Sequence, residues 1–256
     1  MKTLTTFAAT ATATLMLSTG IASADVTIGI AAEPYPPFAE KTADGSWTGW
    51  EVEMIGALCE AMEETCTIAP IAWDGIIPAL MSEKIDVIMA SMSITEERLK
   101  TIDFSDKYYN TPAVLVGAKS MEMTGDPASL DGKYVGVQVS TTHANYVDAH
   151  FAETADVKTY NTFDEHNQDL VAGRIDAVVG DSLAFQDFLK SDAGAPYEVK
   201  AELNDVAIFG PGVGAGMRKD DTDLHAKMNA AIEKIRADGT YKAISDKYFD
   251  FDIYGG

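Results

Sequence analysis

Arg98 lies three residues past Thr95, a residue type that caps helices, and closely follows the hydroxyl-rich Ser91-Met92-Ser93. A guanidinium in a first helical turn, beside hydroxyls and free backbone N–H groups, is a receptor for a carboxylate, which it binds bidentately. Asp181, far along the chain, offers the opposite charge. An acid facing an arginine suits an α-ammonium and an α-carboxylate, the two ends of an amino acid. Ser140-Thr141-Thr142 opens a further helix and supplies more hydroxyl and N–H donors for the same carboxylate. Tyr35 and Trp73 sit in loops after strand-like runs, where two aromatic faces can hold an apolar or guanidinium side chain, and Glu33 is the nearest acid to neutralise a cationic one. Taken singly, these residues read equally well as a surface arginine, helix caps and rim aromatics. What joins them is the pattern of elements that carries them.

Val26 to Ile30 reads as a short buried strand that runs into the turn-rich Glu33 to Phe38. Trp50 to Met62 has Val52, Ile55, Leu58, Cys59 and Met62 at helical spacing, with Glu51, Glu53, Glu60 and Glu63 largely off that stripe. A second helix spans Ile76 to Met81, with Asp74 as its N-cap, and Lys84 to Ala90 forms a strand that ends at Ser91. The plan then repeats. Tyr134 to Val139 matches the first strand, and Leu170 to Asp181 echoes Leu80 to Ser91: a helix ends in Lys or Arg, Ile-Asp follows, then a β-branched run. Five residues after that Asp the chain emerges at Ser91 or Asp181. Strands alternating with helices imply parallel sheets with ligands beyond the carboxyl ends of the strands. Two such ends suggest two lobes facing a cleft, against the alternative of one continuous sheet with an accidental echo. Tyr108 to Pro112 reads as a hinge, and Gly210 to Gly216 as a crossing strand or hinge rather than a nucleotide loop, because Pro211 interrupts the glycines. The C-terminal helical region, Asp220 to Lys242, breaks at Asp238-Gly239.

Composition narrows the partners. Forty acidic residues against nineteen Lys and Arg give 256 residues a net charge of −21, which repels phosphate backbones, so nucleic acid is not expected. Met1-Lys2, the apolar Phe7 to Leu17 and the small-x-small Ala22-Ser23-Ala24 form an export signal, cleaved after Ala24 to leave an exported chain of charge −22. The only cysteines, Cys59 and Cys66, are then in an oxidising compartment, which favours a disulfide over two buried thiols. No second Cys or His pair completes a zinc site; His143, His150, His166 and His225 are scattered. Neither metal nor cofactor is expected. There is no G-x-S-x-G elbow, no P-loop and no H-E-x-x-H, so the chain reads as a binder and not an enzyme.

These motifs together resemble a known family. Gly49-Trp50-Glu51-Val52-Glu53, the Cys59 to Cys66 spacing, Trp73 to Pro78, Ser91 to Arg98, Asp238 to Tyr241 and Lys247 to Asp252 are similar to those of periplasmic solute-binding proteins of the polar amino acid and opine group, which feed ABC importers. The cysteine spacing and the ending resemble histidine- and lysine/arginine/ornithine-binding proteins; Trp73-Asp74-Gly75 and Glu165-His166-Asn167 resemble octopine- and nopaline-binding ones. The resemblance implies a two-lobed α/β fold of type II, each lobe a mostly parallel sheet flanked by helices, with lobe I at 25–110 and 206–256 and lobe II at 111–205. It implies a monomer that closes by a hinge on a free L-amino acid with a basic or polar side chain and delivers it to an inner-membrane ABC permease. Arg98 and Thr142 would hold the carboxylate, Asp181 and Ser91 the ammonium, with Ser93 assisting and Tyr35 packing on the side chain. Ala90 stands where basic amino acid binders often carry Ser, leaving only its carbonyl to serve. Glu33 lies two residues before Tyr35, where the family usually spaces its acid three before the aromatic. Opine binders tend to have Asn at the Asp181 position, so Asp181 favours a free primary ammonium. The alternatives are opine binding, or an enzyme on the same fold such as a cyclohexadienyl-type dehydratase.

Overall fold

Val26–Ala31 is a β-branched run with Ile28 and Ile30 fully buried, as befits a strand covered on both faces at the centre of a sheet. In the computed structural model, which describes residues 25–255, it pairs in parallel with Cys66–Ile71 on one side and Val87–Ile88 on the other. The export signal at 1–24 and its cleavage site lie outside the described residues. Gly216–Met217 and Asp103–Phe104 complete this first sheet, both antiparallel to their neighbours. The second sheet runs in the order Tyr197–Leu203, Ala113–Ala118, Ala177–Asp181, Tyr134–Gln138, Asp156–Tyr160. The chain therefore builds two sheets, not one.

Each sheet is mixed, with one strand set against four that run the same way, and the reason is the crossing between lobes. Strands linked through helices run parallel, whereas at the crossings one strand per sheet is reversed, Gly216–Met217 in one lobe and Ala113–Ala118 in the other, and the edge strands Asp103–Phe104 and Tyr197–Leu203 pair antiparallel with it. Both sheets are covered on two faces. In the first lobe one apolar cluster joins Trp50, Met54, Leu58, Met228, Ile232 and Ile244, and another joins Ile76, Leu80, Ile85 and Phe104. The second lobe repeats this with one cluster around Val147 and Phe151 and one around Phe163, Leu170 and Phe185.

Helix Trp50–Met62 buries Trp50, Glu51, Met54, Ile55, Leu58, Cys59 and Met62. Glu51 is thus on the buried side, not off the stripe as its type suggests. The Cys59–Cys66 disulfide ties the end of this helix to the next strand, with Cα atoms 6.1 Å apart. Asp74 does not cap the following helix. Trp73–Gly75 forms a 3-10 turn that runs straight into Ile76–Met81, which places Asp74 inside the helical start, and no side chain caps the second element. The strand expected over Lys84 to Ala90 keeps regular pairing only at Val87–Ile88, although Asp86 and Met89 still donate their N–H groups to Thr27 and Gly29. Gly210–Gly216 is a crossing segment: Val213 bridges Ser93 and Tyr109, and Gly210, at φ 73°, lies so close to Ile94 that a Cβ would stand 1.8 Å from its carbonyl oxygen. The C-terminal helices Thr222–Ala237 and Thr240–Ser245 meet at Asp238-Gly239 as expected.

Candidate functional site

The carboxyl ends of the two parallel strand sets face one another across a shared cavity. All ten residues singled out from sequence line it: Glu33, Tyr35, Trp73, Ala90, Ser91, Ser93, Arg98, Thr141, Thr142 and Asp181. From the first lobe, Thr95 caps the short helix Glu96–Leu99 by accepting the Arg98 N–H, which fixes Arg98 in the first turn. Its guanidinium donates Nη1–H to the Ser93 carbonyl at 2.8 Å and Nη2–H across the cavity to the Ser140 carbonyl at 3.2 Å. The Trp73 ring lies 5.6 Å from the guanidinium carbon. Burial holds the Arg98 pKa down to about 10, so it remains a cation at neutral pH.

From the second lobe, Thr141 caps helix Thr142–His150 through its hydroxyl, which accepts from Ala144 N–H and donates to the Gln138 carbonyl. That commits the Thr141 hydroxyl, while Thr142, at the first helical position, also lines the cavity. Asp181 ends the strand Ala177–Asp181; its Oδ2 accepts the Tyr35 hydroxyl from the first lobe at 2.5 Å, and its Oδ1 is 3.3 Å from His143 Nε2. Burial, followed by the Asp181 charge, pushes the Tyr35 pKa well up, so Tyr35 stays a donor. Trp73 Nε1–H donates across the cleft to the Val139 carbonyl at 3.1 Å, and Glu33 Oε2 accepts the Trp73 N–H at 3.3 Å. Phe163 meets Tyr35 edge to face with centroids 5.2 Å apart. Among the described residues, three hydrogen bonds thus bridge the cleft: Tyr35 to Asp181, Trp73 to Val139 and Arg98 to Ser140.

Sequence reasoning missed Glu51, Gln138, His143, Phe163 and His166, which also line the cavity. Glu51 had a readable signal, since it lies four, seven and eleven residues before Ile55, Leu58 and Met62 on the buried stripe. His143 directly follows Thr142 in the first turn. His166 is fully buried among aromatic rings; burial holds its pKa down to about 3, so the imidazole is neutral. Among the described residues no group of three or more His, Cys, Asp or Glu could hold a metal ion.

Residues 26–251 match the family model of the bacterial extracellular solute-binding proteins, family 3. The chain is 47% identical to the L-arginine-binding protein of Pseudomonas aeruginosa over 258 aligned positions, 100% of this chain and 99% of that one. It is 40% identical to the histidine-binding periplasmic protein of Salmonella typhimurium, with 90% of each covered. Among solved structures, an ancestral arginine-binding protein bound to glutamine superposes with a TM-score of 0.81 at 35% identity, over 89% of this chain and 98% of the other.

Proposed function

The chain belongs to the bacterial extracellular solute-binding proteins of family 3, and on that premise we propose that it is the extracytoplasmic component of an ABC importer that binds a free L-amino acid between its lobes. The observation that carries this is the placement of Arg98 and Asp181 on opposite walls of one cavity, a guanidinium for the α-carboxylate and a carboxylate for the α-ammonium. Thr142 joins Arg98, Ser91 joins Asp181, Ser93 and the Ala90 carbonyl assist, and Tyr35 with Trp73 flanks the side chain. The cavity lining favours a basic side chain: Glu33 and Asp181 supply two carboxylates against the single guanidinium of Arg98, so a cationic ligand balances the site better than a zwitterion. Similarity to proteins that bind arginine and histidine agrees with this charge argument.

The rest of the reading follows the family. The chain acts as a monomer in the periplasm after removal of 1–24, docks on an inner-membrane permease and uses no cofactor. Lobe I comprises 25–110 and 206–256 and lobe II 111–205; the return crossing starts at helix Val206–Phe209, whose Phe209 ring stacks on Tyr146 at 5.2 Å before Gly210 turns the chain back. One observation favours a second reading, an enzyme on this fold: His143 and Asp181 form an imidazole–carboxylate pair inside the cavity. A thermal-shift screen of amino acids and opines, with each stabilising compound recovered and checked by NMR, separates the readings. Binding predicts stabilisation by a basic amino acid that is recovered unchanged. Stabilisation by none of them, or a converted ligand, contradicts it.

A further inference from the structure

Glu51 is 1% exposed, lines the cavity and has no Lys, Arg or His within ion-pair distance among the described residues. A buried carboxylate in that position is costly unless its hydrogen bonds and surroundings compensate for it. Its acceptors are fully directed: Oε1 takes the Ser91 N–H at 2.9 Å and the Tyr108 hydroxyl, and Oε2 takes the Ser91 hydroxyl at 3.2 Å. The first turn of a thirteen-residue helix adds a favourable dipole. Ser91 itself has φ 55°, a left-handed conformation that is strained for serine, and Glu51 grips it at two atoms.

A serine hydroxyl has one proton. With that proton given to Glu51, the Ser91 oxygen faces its surroundings with lone pairs only, which suits an N–H donor and repels a carboxylate oxygen. We propose that Glu51 is a positioning residue that fixes the Ser91 hydroxyl as an acceptor for the ligand's α-ammonium, a role that rests on the amino acid reading above. The two ends of the ligand are then distinguished by hydroxyl polarity as well as by the charges of Arg98 and Asp181. Glu51→Gln keeps the shape and can still accept the Ser91 N–H, but its amide nitrogen meets the Ser91 oxygen as a donor and turns the hydroxyl proton toward the ligand.

The test is calorimetric affinity for L-arginine and L-histidine in the parent, Glu51→Gln, Ser91→Gly and the double variant, with thermal unfolding as the check on folding. Glycine is chosen at position 91 because it tolerates the positive φ. Glu51→Gln should weaken binding by about tenfold or more beside Ser91, in the range of one hydrogen bond to a charged group. In the Ser91→Gly background the same change should cost less than about threefold. Equal losses in both backgrounds, or a Glu51→Gln affinity within about threefold of the parent, overturn the proposal. If Glu51→Gln does not fold, Glu51→Asp takes its place, because it withdraws the acceptor by one methylene; the same coupling supports the role and equal losses overturn it. A parent that binds no amino acid at all refutes the underlying reading, whereas a parent that binds without coupling refutes only the role of Glu51.

Discussion

Arg98 is anchored at its backbone by Thr95 and at its guanidinium by the carbonyls of Ser93 and Ser140, so its remaining N–H donors are preorganised for a carboxylate. Arg98→Ala should weaken amino acid binding by about 2 to 5 kcal/mol, the cost of truncating one partner of a buried charged pair, with the fold retained. Titration calorimetry that finds less than about 1 kcal/mol would remove the carboxylate assignment. His166 gives a stability prediction with a definite sign. The unfolded imidazole takes a proton near its ordinary value of 6.5, but burial lets the folded one protonate only near 3. Its contribution is therefore fully present above about pH 6.5 and is lost as pH falls toward 3. Denaturant unfolding at pH 7 and 4.5 should show the parent losing about 2 to 3 kcal/mol more than His166→Leu, at about 1.4 kcal/mol per pH unit. Equal losses would show that the ring titrates normally. Charged and hydroxyl residues beside strand ends and caps were legible because their chemistry is local to the sequence. His166 was not, because a polar residue inside a packed stripe becomes meaningful only when another element closes over it, here the Phe163 and Phe185 rings, and the spacing of Glu51 could place it on the buried stripe without naming Ser91 as its partner.

The echo between the halves proves to be a structural device repeated with the same atoms. Asp86 accepts the Thr27 N–H at 2.9 Å and Asp176 accepts the Tyr134 N–H at 2.8 Å, each locking the start of the neighbouring strand. The isoleucine before each acid fills the space over a glycine. A Cβ on Gly29 would meet Ile85 Cδ1 at 2.3 Å, and one on Gly136 would meet Ile175 Cδ1 at 2.5 Å. Gly29→Ala and Gly136→Ala should each destabilise by about 1 to 3 kcal/mol through overpacking, measured by denaturant unfolding. Unchanged midpoints would mean that the isoleucines move aside freely. The strand–helix order was readable from periodicity; the short strands Asp103–Phe104 and Gly216–Met217 at the crossings were not, since two residues carry no period. Reduction of the Cys59–Cys66 bridge should cost about 2 to 3 kcal/mol, the loop-closure value for so short a loop, while binding persists because the bridge is outside the cavity lining. Abolished binding in reduced, folded protein would contradict that separation.

At the scale of the molecule, the three bonds that span the cleft each start from a residue of the cavity lining, Tyr35, Trp73 or Arg98, so lobe closure and ligand capture draw on the same side chains. Closing on a ligand expels water from around Arg98 and Asp181 and strengthens both contacts. The radius of gyration from solution scattering should therefore fall when a basic amino acid is added to ligand-stripped protein; an unchanged value would count against hinged closure. The most direct test of the whole account is calorimetric titration of ligand-stripped protein with L-arginine, agmatine, L-glutamine and L-glutamate. Agmatine keeps the guanidinium and an amine but lacks the carboxylate that Arg98 is built to hold. The account predicts one site per chain, arginine above glutamine, glutamate weakest among the amino acids, and agmatine at least about thirtyfold weaker than arginine. Agmatine binding within about threefold of arginine, or glutamate outranking it, would contradict the assignment of this cleft to the charged ends of a cationic amino acid.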